Sequence, residues 1–160
     1  MAETLGSLSD KLTIKIIREF YLNEMLKSKN KSLTTLDLKK KLKLVQMQKN
    51  DLRQEIDNFI ISAVKGKVKI KEEKLKLYNA PEDMDRIPKL DSLGKSISYL
   101  AKKNLELWCL EDEARRRDVS NAYIGKVKRK IDLVNQQRND AIDALDELLD
   151  RCLKRSASSL

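Results

Sequence analysis

The positions Leu38, Leu42, Val45, Lys49, Leu52, Ile56, Phe59 and Ala63 follow the alternating four-and-three spacing of a helical seam, with one polar exception. A strand cannot bury such a set on one face, because its side chains alternate with a period of two. The stretch therefore predicts a helix over 35–64, capped by Thr34 or Thr35 and dependent on other helices to cover its apolar face.

The rest of the chain carries the same period. A first helix is expected over 8–28, capped by Ser7 or Ser9, with Leu12, Ile16 and Phe20 as its stripe and Ile14, Ile17, Tyr21 and Met25 widening it into a broad buried arc. A third helix, over 91–115 and capped by Asp91 or Ser92, places Leu93, Ile97, Leu100, Asn104, Leu107, Glu111 and Ala114 in its seam. A fourth, over 120–154, aligns Ile124, Val127, Ile131, Val134, Arg138, Ala141 or Ile142, Leu145, Leu148 or Leu149, and Cys152. Between the second and third helices, residues 65–90 form a basic excursion and connector. There Val68, Ile70, Leu75 and Leu77 alternate with lysines around Glu72-Glu73, the pattern of a short hairpin or a basic loop, and Pro81 and Pro88 follow. Residues 155–160 are small and polar and are expected to fray. The short polar link 115–121 makes the last two helices antiparallel neighbours. The expected fold is a single all-α domain over 1–160, a four-helix bundle of long antiparallel helices.

Composition narrows the chemistry. The 160 residues contain no histidine, which removes histidine-activated nucleophiles, histidine-ligated zinc and carboxylate-histidine di-iron sites. Cys109 and Cys152 stand on separate helices without metal-ligand spacing and are expected as reduced, core-filling residues. The first ten residues lack the apolar core of a signal peptide and no stretch approaches a membrane span, so a cytoplasmic location is the expectation. The net charge of +9 is uneven: residues 1–80 hold 18 Lys and Arg against 10 Asp and Glu, whereas residues 81–160 hold 16 against 15. Lys39, Lys40, Lys41 and Lys43, with Lys67, Lys69 and Lys71, are candidates for a basic patch, although lysine on an outer helix face ordinarily serves solvation.

The candidate site lies where polar residues interrupt the seams of the last two helices. Asn104 is expected to face Asp132 and Asn135, and Glu111 and Asp112 to approach Lys128 and Arg129. Arg138 meets no carboxylate within this pair, and a buried guanidinium needs one, so its acceptor should come from another helix or from Asp132 or Asn104 a turn or more away. Asn104, Trp108, Glu111, Asp112, Arg115, Lys128, Arg129, Asp132, Asn135, Arg138 and Asn139 form the candidate polar site, set against the plainer reading that such residues fix helix register. Glu111, Asp112 and Asp132 are oxygen donors of the kind that suit Mg or Mn.

The run Lys103-Asn104, Leu107-Trp108, Glu111-Asp112, Ala114-Arg115, then Ile124, Lys128-Arg129, Ile131-Asp132, Asn135-Gln136, Arg138-Asn139-Asp140 and Asp146, resembles the uncharacterised bacterial domain-of-unknown-function family four-two-five-four. The resemblance implies a helical bacterial domain and carries no established activity.

Three functional classes follow from these residues. The first is a protein-interaction or ligand-binding module, self-associating or docking a protein partner through an amphipathic helix. Another is a carboxylate- and Mg-dependent enzyme acting on a phosphate-containing small molecule, with Arg138, Lys128 and Arg129 on the phosphate. The last is an electrostatic binder of nucleic acid or an anionic surface, although aromatic side chains for base stacking are scarce beside the lysines.

Overall fold

The computed structural model describes residues 3–28, 33–71 and 87–158. Among them the chain forms four helices: α1 (Leu5–Lys27), α2 (Thr35–Val64), α3 (Leu93–Ala114) and α4 (Asn121–Ala157). The all-α bundle expected from the periodicity is the fold observed. No helix among the described residues is long and apolar enough to cross a membrane.

Each helix begins on a hydroxyl that accepts one of its first free amides. For α2, α3 and α4 these are Thr34, Ser92 and Ser120, accepting from Asp37 N, Lys95 N and Tyr123 N at 3.1, 3.3 and 3.2 Å. The start of α1 corrects the expectation of Ser7 or Ser9. Thr4 is the cap, its Oγ1 accepting from Ser7 N at 3.2 Å while Thr4 N donates to Ser7 Oγ at 2.9 Å. This reciprocal pair satisfies two amides at once and draws the helix start forward. At the other end of the chain, α4 continues through Ala157 where fraying was expected.

α2 ends on Gly66, whose φ of 65° is the left-handed turn that glycine takes without penalty. Gly66 N donates to Ala63 O at 3.0 Å and Lys67 N to Ser62 O at 2.9 Å, the paired bonds that close a helix C-terminus. Residues 67–71 then leave without forming a strand, and Val68 and Ile70 pack against the core. The remainder of the proposed hairpin lies outside the described residues.

α1 is central, packing against α2, α3 and α4, while α3 and α4 form the second antiparallel hairpin. The main core joins Leu5 and Leu8 of α1 to Leu52, Phe59 and Ala63 of α2 and Leu145 and Leu149 of α4; a second joins Leu100 of α3 to Ala141 and Ile142 of α4. Glu106–Lys130 at 3.3 Å and Tyr123–Glu113 at 2.9 Å fix the register of the second hairpin. The polar exception in the α2 seam is also explained: Lys49 is half-buried against Glu19 of α1 and ion-paired with it.

Several expected core positions lie elsewhere. Ile16 and Phe20 are exposed, because α1 turns Gly6, Ser9, Asp10 and Thr13 inward instead. Ser96 takes the buried place foreseen for Ile97, which is exposed, and Glu111 falls outside the seam. Cys109 and Cys152 are free thiols as expected but exposed, not core-filling.

Candidate functional site

The small inward face of α1 lets this helix lie close to α4. A Cβ on Gly6 would stand 2.4 Å from the backbone oxygen of Ile142, so the two helices meet at a distance only glycine allows. The buried Asp146 carboxylate accepts from Gly6 N at 2.7 Å, capping α1 from across the bundle.

One turn further along α1, Asp10 is 5 % exposed and supplies the acceptor that Arg138 needed. Arg138 Nε donates to Asp10 Oδ1 at 2.8 Å and Nη2 to Oδ2 at 2.5 Å, a bidentate fork on a carboxylate. This bonding outweighs burial and raises the Arg138 guanidinium above its ordinary pKa. Asn104 Nδ2 donates to Asp10 Oδ1 at 2.8 Å and to Thr13 Oγ1 at 2.7 Å, and Thr13 Oγ1 in turn donates to Asp10 O at 2.9 Å. Asn104 thus faces α1 instead of meeting Asp132, which points outward and is exposed.

Beside this network, where α2 packs on α1 and not closely on α3 or α4, lies a cleft of about 750 Å³. Its α1 side carries Ile14, Lys15, Arg18, Tyr21, Leu22 and Met25; its α2 side carries Lys41, Leu44, Val45 and Gln48. From α3 come Asn104, Leu107, Trp108, Glu111, Asp112 and Arg115, and from α4 Asn135 and Arg138. Trp108 stacks on Tyr21 with ring centroids 5.1 Å apart and planes inclined by 17°. Its Nε1–H is buried without a hydrogen-bond partner among the described residues.

The helices bring together seven of the eleven sequence-predicted site residues: Asn104, Trp108, Glu111, Asp112, Arg115, Asn135 and Arg138. Lys128, Arg129, Asp132 and Asn139 are exposed and do not line the cleft. The expected approach of Glu111 and Asp112 to Lys128 and Arg129 is replaced by pairing along α3, with Arg115 at 3.8 Å from Glu111 and 3.1 Å from Asp112. These short-range contacts win because residues three and four apart share one helix face. Nor do the carboxylates foreseen for Mg or Mn gather: Glu111 and Asp112 stand at the cleft, Asp132 does not, and no group of three or more Asp, Glu or Cys converges among the described residues.

Lys39, Lys40 and Lys43 project from α2 into solvent, Lys41 turns to the cleft, and Lys67, Lys69 and Lys71 are exposed beyond Gly66. Sequence reasoning missed Asp10, Thr13, Lys15 and Arg18. The available signal was the run Gly6, Ser9, Asp10 and Thr13, small or polar residues at helical spacing that mark a close helix approach.

The two helices that supply the cleft's third and fourth sides also carry the family resemblance. Residues 95–159 match the family model described as a protein of unknown function, DUF4254. The match covers nearly all of α3 and α4, including Asn104, Trp108, Asn135 and Arg138, and leaves out the α1 and α2 residues that complete the cleft. No curated protein and no solved structure matches the chain.

Proposed function

We propose that this chain is a ligand-binding helical module whose site is the cleft between α2 and the α3–α4 hairpin. The observation that carries this reading is a prebuilt polar floor, Asn104 and Arg138 held from behind by Asp10 and Thr13, in an open space of about 750 Å³ whose walls mix apolar, aromatic and charged side chains. Such a mixture of apolar walls and a few fixed polar groups is how small-molecule sites are made. Rigid hydrogen-bonded residues at the base lower the ordering cost of binding.

The test is a thermal-denaturation screen against a panel of metabolites, with hits confirmed by emission of Trp108, the single tryptophan of the chain. A true ligand at a hundred times its Kd adds about 2.7 kcal/mol and raises the midpoint by roughly 5–10 °C for a domain of this size. Hits that raise the midpoint but leave Trp108 emission unchanged would place binding elsewhere and count against the cleft.

A second reading, docking of a protein partner, draws support from apolar side chains left in solvent: Ile16 and Phe20 on α1, Leu36 and Met47 on α2, with Phe20 59 % and Leu36 62 % exposed. A solution mass equal to one chain at all concentrations, with no partner retained on the protein, would remove it.

A further inference from the structure

We propose that the ligand of this cleft is an amphipathic anion, an organic molecule with an apolar or planar body and a carboxylate or phosphate group held by Lys15, Arg18 and Lys41. The inference rests on the cleft being a ligand site and adds the chemical class of what it takes. It comes from how the charges lining the space are paired.

Arg138 is matched by Asp10, while Arg115 stands against two carboxylates, Asp112 and Glu111, which leaves one excess negative charge on α3 against the three positive charges of Lys15, Arg18 and Lys41. No carboxylate among the described residues pairs with the remaining three cations. Lys15 Nζ donates to the neutral Oε1 of Gln48 at 2.7 Å, which orients the ammonium without cancelling its charge. Burial and then the neighbouring Arg18 push the Lys15 pKa below its ordinary value, so these two charges oppose each other in the cleft. An anion placed there relieves that repulsion and gains charge-assisted hydrogen bonds from both groups.

The rest of the surface suits the other end of such a molecule. Ile14, Leu22, Met25 and Leu44 continue the same two walls in apolar side chains, and the Tyr21–Trp108 stack offers aromatic surface against the opposite helix.

The experiment compares three probes that share one ring system: 1-naphthyl phosphate, 1-naphthoate and uncharged 1-naphthol, titrated calorimetrically into the full chain and into the Lys15→Gln/Arg18→Gln and Lys41→Glu variants. The substituted side chains lie at or near the surface, and circular dichroism checks that each variant keeps its helices. At least one anion should bind at a single site about tenfold or more tightly than 1-naphthol, with the advantage lost in both variants and weakened by salt. Whichever anion binds tighter identifies the head group as phosphate or carboxylate. If 1-naphthol binds as tightly as both anions, the anion inference falls while the cleft stands as a site. If no probe binds, the inference falls and the cleft reading falls with it.

Discussion

Replacing Asp10 by asparagine leaves the size of the side chain and removes the charge that three donors share. In the folded protein Arg138 Nε and Nη2 and Asn104 Nδ2 all converge on this carboxylate, and the two partners of the ion pair are 26 % and 7 % exposed. An amide turns one of those acceptor oxygens into a donor facing other donors. Breaking a buried pair by removing one partner costs about 3–5 kcal/mol, and the quarter of Arg138 still in contact with water reduces this to roughly 2–4 kcal/mol. For a chain of this length that corresponds to a fall in the melting midpoint of about 5–15 °C. Urea unfolding of Asp10→Asn, Arg138→Met and the double variant gives the cycle, and a coupling of about 1–3 kcal/mol is expected because the second substitution no longer strands a charge. A loss below about 1 kcal/mol for Asp10→Asn, or strictly additive single changes, would refute the claim that this network holds α1 to the other hairpin.

Other perturbations follow from single contacts. Gly6→Ala forces a Cβ to within 2.4 Å of the Ile142 backbone and should destabilise by about 1–3 kcal/mol, whereas Gly94→Ala, with no atom within 4 Å, should be neutral or stabilise α3 by up to about 1 kcal/mol; urea midpoints of the two compare them directly. The Glu19 carboxyl is held below its ordinary pKa of 4.5, chiefly by the hydrogen bond from Lys49. The unfolded chain therefore binds this proton first on acidification, so the contribution of Glu19 is present above about pH 4.5 and is lost as pH falls through its lower folded value. Glu19→Gln should accordingly be less stable than wild type at neutral pH and show a shallower loss in that acid window, read from melting curves against pH. Both Cys109 and Cys152 should react with a thiol reagent in the native protein, and a bulky label on Cys109, next to Trp108, should shift the tryptophan emission.

The period of α2 made both its helix and its core face readable, because eight positions repeat one geometry and Leu38, Val45, Leu52, Phe59 and Ala63 are all buried. Asn104 and Arg138 were equally legible as polar residues on buried stripes. Their partners were not, because Asp10 and Thr13 stand on a helix more than ninety residues away in sequence and the close approach through Gly6 had no precedent in the apolar pattern. An apolar template reads α1 from Leu12, Ile16 and Phe20, yet two of these are in solvent, since the helix spends its inward face on small and polar residues. The cleft itself was out of reach of any periodicity argument. It exists because α2 packs chiefly on α1 and not closely on α3 or α4, a matter of packing between elements and not of any one of them.

The indole of Trp108 gives the one tryptophan side-chain N–H signal in a nitrogen-15 correlation spectrum and so reports directly on ligand entry into the cleft. On titration with 1-naphthyl phosphate that signal should shift saturably, in step with backbone shifts at Lys15, Arg18, Leu44, Asn104 and Asn135 around the cleft. An unmoved indole signal, with shifts confined to Lys39, Lys40 and Lys43 on the outer face of α2, would contradict binding in the cleft.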